Sequence, residues 1–166
     1  MDEVIESPAS NQRLFNSTLE VAMRALFIMD AFHPLRLDLS RLSVFDYFVL
    51  HTEDIGGPPS LHASLDQRTG EYLVRRGAIQ TAIAFLRRNH LIKVINDQTG
   101  QVFEMSQEAS ALLDVVSTGY HEKLKIRALW LATQSEIQSE IAFDENLRQL
   151  LQAWNSDLQS RRSMVG

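Results

Sequence analysis

The sequence predicts a mainly α-helical protein with a winged helix-turn-helix core, one short β-hairpin and added C-terminal helices. Three observations predict this fold. Apolar residues recur at helical spacing in several segments, two short β-prone runs flank a turn-rich segment, and a long helical pattern leads directly into that hairpin. We divide the chain into a flexible N-terminal arm (1–15), a winged-helix-like domain (16–133), an amphipathic helical extension (134–160) and a tail (161–166).

Composition sets limits on fold and chemistry. The chain has 166 residues, 45% of them hydrophobic, which is enough to bury one core without metal or disulfide support. Cysteine is absent, which excludes disulfides, thiol catalysis and cysteine-ligated metal sites and fits a reducing compartment. The net charge of −5 makes a dedicated nucleic-acid binder a poor starting hypothesis, although a local basic face can still exist.

The start of the chain and its apolar runs predict a cytoplasmic protein. Residues 1–6 are acidic and lack the basic start and apolar stretch of a secretory signal. The longest apolar stretches are short and contain charges such as Arg24 and Asp30, so we expect no membrane span.

The first two helices have clear end signals. Ser17 and Glu20 form a capping box, and Pro34 ends helix one because the residue before a proline is driven out of helical geometry. Asp38 or Ser40 caps helix two, which we expect to extend to about Ile55. Asp46 falls within the apolar pattern of this helix. A carboxylate there either pairs with an arginine, Arg24 or Arg41, or is partly exposed at the edge of the stripe.

The sharpest break in the sequence is Gly56-Gly57-Pro58-Pro59. The glycines permit positive φ, and the prolines stiffen the backbone that follows. The connection spans roughly a dozen residues, longer than most, and such loops are either floppy or used for contact. The diproline favours contact, so we predict partner binding at Gly56, Gly57, Pro58 and Pro59.

Helix three (about 71–89) is the recognition helix of the predicted winged helix, and residues 96–100, the turn of the following hairpin (91–105), are its wing. A nucleic-acid surface here would use the basic residues Arg75, Arg76, Arg87, Arg88 and Lys93. Against this, the two arginine pairs lie at opposite ends of the helix, the wing carries Asp97 without a cation, and arginines flanking an apolar helix are commonly solvated or paired with acids. A winged-helix DNA-binding regulator is therefore the alternative function.

The sequence contains no pattern that predicts catalysis or a cofactor. No two of the five histidines are spaced i, i+4 on one helix, and no phosphate-binding glycine loop or nucleophile elbow is present. His51 with Glu53 and Asp54 comes nearest to a metal-ligand cluster, but its position at a helix end favours a capping or solvated role. We predict a protein that is not an enzyme and has no cofactor, metal or small-molecule substrate.

The last helical pattern carries an apolar seam spaced four, three and four residues apart, made of Leu147, Leu151, Trp154 and Leu158. Such a seam needs a hydrophobic groove or a second helix. It either binds a partner, with Trp154 as the main contact, or closes the core of its own domain.

Several stretches resemble the middle component of ABC three-component systems, a family that includes the accessory subunit of Lamassu-type anti-phage defence. The resemblance covers roughly residues 16–132, and Gly56-Gly57-Pro58-Pro59-Ser60-Leu61-His62 is its most specific part. The other matching residues lie in the helices: Leu19-Glu20, Arg24-Ala25-Leu26, Leu39, Leu42, Asp46-Tyr47, Gly70-Glu71, Leu73-Val74-Arg75-Arg76, Arg127-Ala128 and Trp130.

The resemblance implies an accessory subunit of a prokaryotic defence complex. Its partners would be an SMC-like ATPase and an effector, commonly a nuclease, and DNA would be contacted, if at all, through the complex. It implies no catalytic residues.

Overall fold

The computed structural model describes residues 17–62, 68–116 and 118–134, with backbone alone for 68–73, together with positions 145, 148, 149, 152, 153 and 156. These residues are mainly helical, and their two strands form one antiparallel hairpin, as predicted. The elements are α1 (Thr18–Phe32), α2 (Leu39–Leu50), a 3-10 turn (Thr52–Ile55), α3 (Arg68–Arg88), β1 (Ile92–Asp97), β2 (Gly100–Met105), α4 (Gln107–Val115) and α5 (Gly119–Ala132).

The predicted helix starts are confirmed by their capping hydrogen bonds. The side chains of Ser17 and Asp38 each accept a hydrogen bond from the backbone N–H three residues further on. Ser106 makes the same bond at the start of α4. The second half of the proposed capping box is placed differently, since the Glu20 carboxylate lies 3.8 Å from Nε2 of His121 on α5.

The centre of the molecule is built from α1 and α2. Every residue from 21 to 29 in α1 and from 42 to 50 in α2 is buried, because neighbouring elements cover these helices on all sides. Helices α3 and α5 both pack against α1 and α2, and the stacked rings of Phe32 and Phe45, 4.4 Å apart, close one end of the core.

The hairpin follows α3 immediately and is tied to the start of α2. Ile92 lies opposite Met105 and Asp97 opposite Gly100, so Gln98 and Thr99 form the turn. The N–H of Phe103 donates to the carbonyl of Leu37 over 2.9 Å, which makes the segment before α2 an isolated antiparallel bridge to β2.

Helix α2 is shorter than predicted. It ends at Leu50, and the chain continues as a 3-10 turn to Ile55, ended by Gly56 at φ 74°. The glycine permits this left-handed geometry without steric cost. None of the described helices is both long and apolar enough to span a bilayer.

The domain boundaries predicted from the sequence stay predictions. The N-terminal arm and the tail lie outside the described residues, and so does most of the C-terminal extension.

Candidate functional site

A buried ionic cluster joins the three N-terminal helices. The carboxylate of Asp46 on α2 accepts hydrogen bonds from Nε and Nη2 of Arg24 on α1, at 2.7 and 3.3 Å, and from Nη1 of Arg75 on α3, at 2.9 Å. Asp46 and Arg24 are each 1% exposed, and Arg75 is 5% exposed. Of the two sequence hypotheses for Asp46, pairing with Arg24 is therefore correct, and Arg75 is a second partner that sequence reasoning missed.

The two arginines set the charge state of this cluster. Burial alone would raise the pKa of Asp46, but the charges and hydrogen bonds of Arg24 and Arg75 outweigh it and hold the pKa below its ordinary value. The carboxylate is thus ionised in the folded protein, and its geometry is that of a structural ion cluster with charge-assisted hydrogen bonds.

A second polar layer connects this cluster to the start of the loop. Tyr47 Oη donates to Asp54 Oδ2 over 2.5 Å, which ties α2 to the 3-10 turn. The ring of His51 lies 4.6 Å from that of Tyr47 and is 1% exposed, while its backbone N–H caps the end of α2. The expected capping position is confirmed, but the solvated side chain is not, because the turn and loop cover it. Among the described residues no group of side chains could hold a metal ion.

The loop of residues 56–62 is fastened to the end of α2 by its own hydrogen bonds. Gly57 N donates to Thr52 O over 2.9 Å, and Thr52 Oγ1 donates to Pro58 O over 2.6 Å. Glu53 N donates to Ser60 Oγ, and the N–H groups of residues 61 and 62 both reach the carbonyl of Leu50. These bonds fix the loop in one conformation and leave Gly56 and Pro59 exposed.

Helix α5 holds the other side of the loop. Nε and Nη2 of Arg127 donate to Pro59 O over 2.9 and 2.7 Å. The Trp130 ring lies so close to Gly57 that a Cβ atom there would be 2.4 Å from its Cη2 atom. Glycine is favoured at this position because any side chain would force the ring or the loop to move.

The last residue of the loop belongs to the polar interior. Nε2 of His62 lies 3.2 Å from the Tyr120 hydroxyl on α5. Burial, together with the positive charges of Arg24 and Arg75, lowers the pKa of His62 from 6.5 to about 4. His62 is therefore neutral at physiological pH.

This pKa shift predicts a loss of stability in mild acid. The unfolded chain takes up a proton on His62 below pH 6.5, whereas the folded protein does so only near pH 4, so stability is fully present above pH 6.5 and falls between these values. We expect His62 to account for about 1 kcal/mol of the stability lost between pH 7 and pH 5, after allowance for its partial exposure. Urea unfolding at both pH values measures it.

The matched variant is His62→Gln, which keeps a polar side chain and does not titrate. Its loss between pH 7 and pH 5 should be smaller than that of the wild type by that amount. Equal losses in the two proteins would contradict the assignment.

The five cations proposed for nucleic-acid contact do not form one surface. Arg75 is in the interior, and Nη1 of Arg76 donates to Ser40 Oγ over 2.9 Å. Arg87, Arg88 and Lys93 are exposed near the junction of α3 and β1. The pairs Arg75/Arg76 and Arg87/Arg88 look alike in the sequence. The difference in their burial and contacts arises only from the packing of α3 on α2.

The other predicted contact, the seam of Leu147, Leu151, Trp154 and Leu158, lies outside the described residues. The six described positions of that segment are helical and exposed.

Several of the residues that carried the family resemblance contact one another. Arg24, Asp46 and Arg75 form the ionic cluster, and Arg127 and Trp130 hold the loop. We refer to the loop of residues 56–62 with Arg127 and Trp130 as the loop platform. The roles of Thr52, Ser60 and Tyr120 were missed, because hydroxyl groups at these positions give no signal in the sequence.

Comparison with known proteins gives one match. A family model described as MC2, ABC-three component (ABC-3C) system Middle Component 2, matches residues 14–157. This extends the resemblance through most of the C-terminal segment, which the sequence reasoning had left outside it. No curated protein and no solved structure matches the chain.

Proposed function

Because the chain belongs to the Middle Component 2 family of ABC three-component systems, we propose that it is a non-catalytic accessory subunit that bridges an SMC-like ATPase and an effector such as a nuclease. The complex would act in the cytoplasm in defence against phages or plasmids, as in Lamassu-type systems. A component of a multi-component system needs surfaces that bind other subunits, and the loop platform is our candidate for one of them.

The single observation that supports this role is the rigid presentation of an exposed loop. The loop is bonded to α2 at one side and to α5 at the other, while Gly56 and Pro59 face solvent. A loop already fixed in its bound shape loses little conformational entropy on association, which favours affinity. The ionic cluster lies close to the loop platform, since the charges of Arg24 and Arg75 lower the pKa of His62 at the end of the loop.

The winged-helix assignment is also a proposal. The order of the elements supports it. Helix α1 is followed by the bridging residue Leu37, by α2 and α3, and by the hairpin of β1 and β2, whose second strand pairs with Leu37. For the alternative function, DNA binding as a regulator, three exposed cations are available, but the hairpin turn presents Asp97 with Gln98 and Thr99. We therefore favour the assembly role.

Co-purification from the native gene cluster tests this proposal. With an affinity tag on this chain, we expect two partner proteins in stoichiometric amounts at low salt. The variant Pro59→Asp places a charge on the loop platform and should reduce their retention by at least about tenfold, since a charge buried unpaired in an interface costs several kcal/mol.

The matched control is Gln98→Asp, which adds the same charge at the exposed hairpin turn. It should retain both partners as the wild type does. A wild-type chain that elutes alone would refute the assembly role, and equal retention by Pro59→Asp would remove the loop platform as a contact.

A further inference from the structure

Helix α5 carries apolar residues on two opposite sides, and the exposed acid Glu122 shares the second side with them. Leu124, Ala128 and Leu131 are fully buried against the core. Ile126 and Leu129 project from the other side and are 59% and 47% exposed. Successive helical residues are rotated by roughly 100°, so these two side chains lie within one solvent-facing stripe. A helix with a single buried face normally exposes polar residues opposite to it, so two neighbouring large apolar residues there make this side a candidate for a covered surface.

The chain that follows α5 contains a complementary element. The described positions of that segment are helical and exposed, and they are spaced so that they share one side of a helix: Glu145, Arg148, Gln149, Gln152, Ala153 and Ser156. Ser156 Oγ donates to Gln152 O over 3.0 Å, which is a helical i to i−4 bond. A continuous helix through these positions would place the predicted seam, from Leu147 to Leu158, on the opposite side.

We propose that the segment 135–158 of this chain folds back onto α5, so that its leucine and tryptophan seam covers Ile126 and Leu129 as an antiparallel helical hairpin. The lengths agree: α5 has 14 residues and spans about 21 Å, and the 16 residues 143–158 would span about 24 Å as a helix. The connection over 133–142 has ten residues, which is enough for the chain to reverse its direction and is below the length at which loops without secondary structure become uncommon.

The charges of the two elements are also complementary. Residues 135–158 contain five acidic residues and one arginine, a net charge of −4. Helix α5 carries Lys123, Lys125 and Arg127 against the single acid Glu122. The exposed lysines beside the apolar stripe would therefore attract the acidic segment 135–158 and would repel a basic segment.

Attachment favours this chain's own segment over any other occupant. The segment follows α5 by two residues, so its local concentration at the stripe is of the order of millimolar, far above that of a second copy in solution. A cavity of about 510 Å³ at the same end of α5 adds apolar surface beside the exit point, lined by Ala31, Phe32, His33, Pro34, Leu35 and Ala132. Ile137 and Ile141 are the first large apolar residues after α5 in the sequence.

This packing decides between the two roles left open for the seam. In the free subunit the seam would close the protein's own fold, and partners would meet the polar side of the last helix and the loop platform. The inference does not depend on the proposed function, since it concerns the isolated chain.

Paired cysteines test the packing directly, because the protein has no cysteine of its own. The pairs are Ile126→Cys with Leu147→Cys and Ile126→Cys with Leu151→Cys, since these seam positions lie on consecutive turns. A disulfide requires Cα atoms within about 7 Å. We expect rapid intramolecular crosslinking of the monomer in at least one pair under mild oxidation, read by non-reducing electrophoresis and mass.

The matched control is Ile126→Cys with Gln149→Cys, which uses an exposed position on the polar side. It should crosslink at least about tenfold more slowly, and adding Leu129→Asp to the reactive pair should slow its reaction to a similar degree. Equal rates in seam and control pairs, crosslinks only between chains, or no crosslink in either seam pair would overturn the proposal.

Discussion

Replacing Asp46 with alanine is expected to lower the free energy of unfolding by about 3–5 kcal/mol. The substitution leaves the guanidinium groups of Arg24 and Arg75 in the interior without the carboxylate that both of them contact. Charged groups removed from water are costly unless paired, and the loss is large because Asp46 and Arg24 are almost completely buried. Urea unfolding at pH 7 measures the change.

A surface ion pair offers the matched control for this prediction. Nε of Arg36 lies 2.8 Å from Glu104 Oε2, but the two side chains are 50% and 40% exposed. Glu104→Ala also deprives an arginine of its carboxylate, yet it should cost less than about 0.5 kcal/mol because water replaces the lost partner. A similar loss in the free energy of unfolding for the two variants would contradict the claim that burial makes the Asp46 cluster important for stability.

A triple variant distinguishes the contribution of charge pairing to stability from the contribution of filling the same space. Replacing Arg24, Asp46 and Arg75 together with apolar side chains of similar volume should recover much of the stability lost in Asp46→Ala, since no buried charge is left unpaired.

Replacing Gly57 with alanine is expected to destabilise the protein by about 1–3 kcal/mol and to displace the loop. The new Cβ atom would lie within 2.8 Å of three atoms of the Trp130 ring, closer than packed carbon atoms approach. The rigid ring or the loop must therefore move. Urea unfolding measures the stability, and the displaced loop platform should weaken partner retention by about tenfold.

Gly77→Ala is the control for this prediction. A Cβ atom at Gly77 meets nothing within 4 Å, and the residue lies inside α3. Alanine restricts the unfolded chain and favours the helix, so we expect Gly77→Ala to stabilise the protein by about 0.5–1 kcal/mol. If Gly57→Ala were equally harmless, close contact with Trp130 would not be what holds the loop.

The sequence predicted those parts of the fold that local chemistry encodes. The caps at Ser17 and Asp38 and the order of helices and hairpin depend on residues a few positions apart, and they are confirmed. The end of α2 was placed too late, because a 3-10 turn continues the helical pattern.

The contacts that build the candidate site could not be predicted in the same way. Arg75 pairs with a carboxylate 29 positions earlier, and Arg127 reaches a carbonyl 68 positions earlier. Nothing in the local pattern distinguishes the buried Arg75 from the exposed Arg87 and Arg88. The diproline loop was predicted as a contact surface, but its attachment to α5 appears only when the helices are packed.

Omission of this chain tests the bridging role most directly. The proposed ATPase carries the tag, and recovery of the effector is compared with the chain present and absent. We expect the effector to be recovered stoichiometrically only when the chain is present, and to be restored by adding the purified protein. Equal recovery of the effector without the chain would contradict the account.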